Sequence, residues 1–246
     1  MRGIDLSVHN GALDFSTMKS AGIDFVIIRA GYGDAMTYPS QNDSQFQRNY
    51  TEATKYGLHV GAYWYSYAQN RQQAVREAQS FLLQLRGKRF DMPVYIDIEE
   101  EKVLSLGRSV CDSIIEGFCS TMEQAGYFVG FYCSTYWTKQ CISLNIQNRY
   151  TQWIADWSNK PSGVPYAIWQ NTNAYKVQNK YVDGDICDTD FPAIIKMRGK
   201  NGYTAKTGSI VAALGDTFTH GGKIYPVQSG TSVQVCYEGV KNYEVY

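Results

Sequence analysis

The sequence predicts an α/β protein in which parallel strands alternate with helices, closed as a barrel or open as a doubly wound sheet, with a small β-rich piece at its end. Three observations predict it. Short apolar runs recur with helix-length segments between them, the pattern that parallel pairing with right-handed crossovers produces. The run Phe25-Val26-Ile27-Ile28-Arg29-Ala30 is near-continuous, as strands covered on both faces are. Glycines at 22, 57 and 126 stop the intervening helices just ahead of the next run.

Taken in order, Gly3-Ile4-Asp5-Leu6-Ser7 alternates like a first strand, with Asp5 on the opposite side from Ile4 and Leu6. Asp14 can cap a short helix to about 21. Arg29 interrupts the second strand; a guanidinium at the end of a buried strand pairs with a carboxylate, and Asp5 next door is the expected partner. A helix over about 43–56 precedes a third strand at 60–67, which sets Tyr63, Tyr65 and Tyr67 on one face. Helices over about 70–85 and 107–124 lead into strands at 93–100 and 128–133. After Tyr132 the rhythm changes, because 151–157 and 166–170 are strand-like with no helix-length segment between them. A last strand at 181–186 brings Asp183 and Asp185 beside the first strand if the sheet closes.

The stretch 93–100 carries the chemistry. Period two puts Tyr95, Asp97 and Glu99 on one face and Val94, Ile96 and Ile98 on the other. Burying two carboxylates side by side costs several kcal/mol unless something compensates. Such a pair suits glycoside hydrolysis, which needs one acid protonated and another charged beside a developing cation. The competing reading turns the strand end out to solvent and leaves Asp97, Glu99, Glu100 and Glu101 as a solvated acidic cluster. In a closed parallel barrel, Asp5, Asp97, Glu99 and Asp183 would converge at one mouth.

Composition narrows the field. The chain of 246 residues can hold one barrel and a small appendage. Lys plus Arg and Asp plus Glu number 23 each, so no long-range field draws it to nucleic acid or an anionic membrane. No apolar run approaches the roughly 18 residues of a membrane span, and Met1-Arg2 lead straight into a strand without the regions of a signal peptide, so synthesis in the cytoplasm is expected. Cys111, Cys119, Cys133, Cys141, Cys187 and Cys236 lack C-x-x-C spacing, and His9, His59 and His220 are scattered, so no metal site, cofactor or redox motif is signalled. No G-x-G-x-x-G follows the first strand, and no G-x-S-x-G supports a serine nucleophile. Many of the 20 Tyr and 5 Trp fall near strand ends, where rings stack on sugars as well as fill cores. The expected organisation is a barrel over 1–198, a linker at 199–202, and a module at 203–246 with strands at 208–214, 223–227, 232–237 and 242–246. The module is read as wall-binding or oligomerising, or as a β-lobe without a ligand.

Eight motifs, in order, resemble those of glycoside hydrolase family 25 lysozymes, the muramidases of phage endolysins and bacterial autolysins. They are Gly-Ile-Asp-Leu-Ser at 3–7, Ile-Arg-Ala-Gly-Tyr-Gly at 28–33, Gly-Ala-Tyr-Trp-Tyr at 61–65, Tyr-Ile-Asp-Ile-Glu at 95–99, Gly-Phe-Tyr at 130–132, Trp-Ile-Ala at 153–155, Ile-Trp-Gln at 168–170 and Val-Asp at 182–183. The resemblance implies a flattened, TIM-like barrel of five β/α units and three final short antiparallel strands. It implies Glu99 as general acid, Asp97 as the carboxylate beside an oxazolinium-like intermediate, and Asp5 and Asp183 as further acids lining the pocket. Arg29, Tyr63, Tyr65, Tyr132, Trp153, Trp169 and Gln170 are the expected substrate contacts. Trp64 stands where many members have His, a change expected at the groove wall, and Asn-Lys-Tyr at 179–181 replaces the usual Gly-Asn before Val182-Asp183, so that Asp183 rather than Asp185 is taken as the inward acid. The implied partner is bacterial peptidoglycan, reached after holin-type release. Two other readings are a chitinase-type enzyme, whose Asp ladder ahead of Asp-x-Glu is missing, and a non-catalytic peptidoglycan-binding protein on the same barrel.

Overall fold

The computed structural model describes residues 1–204 and, beyond them, the backbone of four strands between 217 and 245. Eight strands close a barrel in chain order: β1 (Arg2–Leu6), β2 (Phe25–Tyr32), β3 (His59–Tyr65), β4 (Val94–Asp97), β5 (Val129–Ser134), β6 (Thr151–Ala155), β7 (Ile168–Val177) and β8 (Lys180–Cys187). Closure excludes the doubly wound alternative. Pairs from β1 to β7 are parallel, and β8 alone runs antiparallel, to both β7 and β1. The expectation of three short antiparallel strands is thereby corrected. Two short helices, α6 (Thr135–Cys141) and α7 (Leu144–Arg149), carry the chain back between β5 and β6, and an extended loop does so between β6 and β7.

The earlier helices follow their sequence signals. In α1 (Phe15–Ser20) Asp14 accepts the Ser16 N–H at 2.9 Å. Helices α2 (Phe46–Lys55), α3 (Arg71–Leu85) and α5 (Arg108–Gln124) lie on the outside, with α4 (Glu101–Leu104) a single turn after β4. Their apolar faces meet the outward residues of the strands, Ile4, Leu6, Val26, Ile28 and Phe131 among them. Trp64 belongs to this layer. It is fully buried, 5.6 Å from the Phe81 ring of α3, and its indole donates to the Gly33 carbonyl. The substitution of His by Trp thus sits behind the barrel wall and not on the groove, because alternation in β3 turns it away from Tyr63 and Tyr65.

Inside the barrel a second cluster gathers Phe25, Ile27, Met92, Tyr95, Trp153 and Ile168, closed at the bottom by Phe191 and Ile195 of α8 (Phe191–Met197). At Gly130 a Cβ would collide with the Thr151 carbonyl, so only glycine lets β5 and β6 approach there. The 199–202 stretch is no free linker. Asn201 is fully buried at φ 55°, accepts the Phe128 N–H at 2.7 Å and donates to the Met92 carbonyl at 2.9 Å. Those bonds fasten the chain to the barrel floor.

At the other end β7 and β8 run on as a hairpin past the rim, and Gln178 and Lys180 donate to the carbonyls of Asp14 and Asn10. Beyond residue 204 the backbone forms β9 (Thr217–His220), β10 (Lys223–Pro226), β11 (Val235–Glu238) and β12 (Asn242–Val245), a sheet ordered β10-β9-β12-β11. Three of these overlap expected strands; the expected strand at 208–214 lies outside the described residues. Among the described residues no helix is long and apolar enough to cross a membrane.

Candidate active site

Strand register assembles the acids. Asp5 lies opposite Asp183 across the β1–β8 ladder, Tyr65 pairs with Asp97, and Asp97 pairs with Tyr132. Glu99 follows the end of β4 by two residues, and the Ile98 N–H is held by the Tyr132 carbonyl at 3.0 Å. Because β8 is antiparallel, Asp183 stands at the mouth and Asp185 two residues deeper on the same face. The inward acid is therefore not one of the two but both, at different depths.

Burial grades the set. Asp5, Asp97 and Asp185 are 6%, 5% and 1% exposed, Asp183 is half-buried, and Glu99 is exposed at the rim. This excludes the solvated-cluster reading for Asp97. Loss of hydration is the first cause that lifts Asp5 well above the usual carboxylate range, followed by the nearness of the Asp185 and Asp183 carboxyls. Burial likewise lifts Asp97, with Glu99 and Asp5 adding to it and the Arg29 guanidinium opposing. Glu99 has open surface, yet enough protein surrounds its carboxyl for burial to raise it, and Asp183 raises it further. The Tyr132 hydroxyl, within hydrogen-bonding reach, pulls it back down.

Gln170 is the hub. Its Nε2 donates to Asp5 Oδ2 at 2.9 Å, while its Oε1 accepts the Tyr132 hydroxyl at 3.0 Å and Trp157 Nε1 at 3.1 Å. Below it Trp153 donates to Asp185 Oδ1 at 2.7 Å and packs its ring 4.5 Å from Tyr132, 5.5 Å from Tyr95 and 5.8 Å from Tyr63. Trp153 is 1% exposed, so it fills the barrel beneath the acids and supports Tyr132 from behind.

Two expectations are corrected. Arg29 pairs with Asp43 at 2.9 Å and not with Asp5, whose strand neighbour is Ile27. Asp43, buried in the loop before α2, also accepts the Val8 N–H at 2.9 Å, which locks that loop beside β1. Trp169 lies on the face of β7 opposite Ile168 and Gln170, and its indole donates to the Asp156 carbonyl, so it stands apart from the acids. In its place Trp157, 54% exposed, reaches Gln170. Beside the acids a groove of about 530 Å³ runs past His9, Arg29, Tyr32, Tyr65 and Tyr67. Tyr67 lies edge-on to Tyr32 at 6.1 Å and 5.1 Å from Tyr65, and it is 47% exposed. Sequence reasoning passed over Tyr32 and Trp157, although each ends a strand-like run in the sequence. Among the described residues no group of three or more His, Cys, Asp or Glu is arranged to hold a metal ion.

Acids of graded depth at the carboxyl end of a barrel, beside an aromatic groove, form the arrangement that glycoside-hydrolysing barrels use. The chain belongs to glycosyl hydrolases family 25, whose model matches residues 4–180. An autolytic lysozyme of Clostridium acetobutylicum is 29% identical over 165 residues, which is 66% of this chain and 47% of that protein. The chain thus spans about half the length of that relative. The fold is shared with the CTP1L endolysin, at a TM-score of 0.65 and 23% identity over 79% of this chain and 69% of that one. It is also shared with a family 25 glycosyl hydrolase from Bacillus anthracis, at a TM-score of 0.64 and 22% identity over 76% and 88%.

Proposed function

We propose that this chain is an N-acetylmuramidase, a lysozyme that hydrolyses the β-1,4 bond between N-acetylmuramic acid and N-acetylglucosamine in peptidoglycan with retention at the anomeric carbon. One observation carries the reading: strand register gathers Asp5, Asp97 and Asp183 at one mouth, with Glu99 exposed at its rim two residues beyond Asp97, where burial and Asp183 favour its protonated form. An acid able to meet a glycosidic oxygen is therefore backed by a second carboxyl.

Glu99 gives its proton to the glycosidic oxygen as the C1–O bond breaks, and the acetamido oxygen of the same sugar closes onto C1 to form an oxazolinium ion. Asp97, lifted by burial with Arg29 opposing, balances the positive charge of that ring in its ionised form. Water then attacks C1 as its bond to the acetamido oxygen breaks, which restores the N-acetyl group, and the water loses a proton to the ionised Glu99, which restores the acid. Asp5 and Asp183 line the pocket, Gln170 and Tyr132 orient its polar groups, and Tyr65 and Arg29 border the groove that receives the glycan.

We further assign it the role of an endolysin that acts on the wall after release from the cytoplasm, a reading supported by the likeness to the CTP1L endolysin. The segment from 203 onward is read as the wall-binding or self-associating part. The test of the chemistry is Glu99→Gln, which should lower reducing-end release from purified peptidoglycan about 10²–10⁴-fold while leaving the thermal melt in place. Wild-type turnover in that variant would remove Glu99 as the acid.

A further inference from the structure

Beneath the mouth lies one carboxyl that the proposed reaction does not use. Asp185 is 1% exposed, its Oδ1 accepts Trp153 Nε1 at 2.7 Å, and its Oδ2 meets no donor. The groups that face it are Asp5 from β1, Asp183 and Cys187 from its own strand, Tyr95 from β4 and Trp153 from β6. None of these is a cation. The nearby chain amino group is bound further down, on the Cys187 carbonyl at 2.7 Å.

An ionised carboxylate with one hydrogen bond, no counter-charge and another carboxyl beside it is costly in so dry a place. As the neutral acid, the side chain carries no charge into that dry place, and the Oδ1 that accepts from Trp153 is the one oxygen that needs a donor. On the muramidase reading, we infer that Asp185 is a positioning residue kept as the neutral acid: its Oδ1 anchors the Trp153 indole behind Tyr132, and its proton keeps a further negative charge from under Asp5.

The consequences run upward. Trp153 packs 4.5 Å from Tyr132, whose hydroxyl stands next to Glu99, so the anchor at Asp185 fixes the group that adjusts the acid. A neutral floor also leaves Asp5 to titrate against its mouth neighbours alone. Burial pushes the Asp185 carboxyl up to about 8, in keeping with that state at neutral pH.

Infrared difference spectra of the full chain without substrate, wild type against Asp185→Asn, test this. At pH 6 the wild type shows a protonated-carboxyl carbonyl stretch that D185N lacks, and the band fades with a midpoint near 8. A wild-type-minus-D185N difference without that band, or one in which it fades below about pH 5 as an ordinary carboxyl does, overturns the inference. In kinetics on peptidoglycan, D185N leaves the acid limb of kcat/KM within about 0.3 pH unit, since one neutral group replaces another. A downward move of about 1 unit or more means that a charge had been there, and it overturns the inference too. Asp185→Leu, which offers the indole no acceptor, lowers kcat about tenfold below that of D185N with KM little changed; equal kcat in the two variants overturns the anchoring role. Wild-type protein inert on peptidoglycan but with the band intact would instead remove the muramidase reading and leave the protonation standing.

Discussion

Replacing Gln170 by leucine takes away the amide that divides the Tyr132 hydroxyl between two neighbours. That hydroxyl has a single proton to donate; it points at Gln170 Oε1 at 3.0 Å and stands within reach of Glu99. With Gln170 gone the proton turns wholly to Glu99 and stabilises its carboxylate. Asp5 meanwhile loses the Gln170 amide as a donor, rises further, and carries less negative charge. Both changes favour ionised Glu99. A hydrogen bond to a charged group is worth about 1.5–3 kcal/mol; gaining roughly half of one lowers the Glu99 pKa by about 1 unit, at about 1.4 kcal/mol per unit.

The assay is the pH dependence of kcat/KM for reducing-end release, whose alkaline limb reports the acid of the free enzyme. In Gln170→Leu that limb moves about 1 pH unit lower. Tyr132→Phe removes the hydroxyl altogether and must move it the other way, and the double variant must follow Tyr132→Phe. An alkaline limb that stays put in both single variants, or rises in Gln170→Leu, refutes the idea that Tyr132 and Gln170 set the proton affinity of Glu99.

Two further predictions concern the frame around the site. Asn201→Ala leaves the Phe128 N–H and the Met92 carbonyl unpaired and replaces an asparagine, which tolerates φ 55°, by an alanine, which does so less readily; it should cost about 3–7 kcal/mol in denaturant unfolding, from about 1–3 per orphaned group and about 1 for the backbone. Asn201→Gly should be about 1 kcal/mol milder, and a loss under about 1 kcal/mol in Asn201→Ala would restore the linker reading. Glu77 of α3 accepts the Ser66 hydroxyl at 2.6 Å and the Tyr67 N–H at 3.0 Å, and burial pushes it up to about 7 from 4.5. Its folded form binds the proton more tightly than the unfolded chain does, so stability falls as pH rises from about 4.5 to 7, by about 3 kcal/mol in all. Melting curves of Glu77→Gln should lack that decline, and identical pH slopes in variant and wild type would show that Glu77 does not cause it.

Alternation and helix punctuation were enough to read the face on which each strand residue falls. Period two alone separates Asp5 from Ile4 and Leu6, Asp97 from Ile96 and Ile98, and Tyr63 from Trp64, and glycines 22, 57 and 126 do take the positive φ that ends a helix. The same rule, applied to β3 and β7, would have turned Trp64 and Trp169 outward; the resemblance to known motifs drew attention to them instead. Strand direction after β5 was not legible, because α6 and α7 are too short to leave a helical period and the β6–β7 loop has none. Nor was the partner of Arg29, since Asp43 comes from a loop whose approach to β2 depends on the closed barrel.

The hardest quantity to read is depth. Asp183 and Asp185 have the same side chain on the same face, and no periodicity separates them. Their chemistry diverges only because an antiparallel register puts the first at the rim and the second against Trp153. Position along the barrel axis decides how much water each carboxyl keeps, and retained water decides which one stays charged. A face assignment alone therefore yields the membership of such a site, while the division of proton and charge among its members follows from register, which is set by strands far apart in the chain.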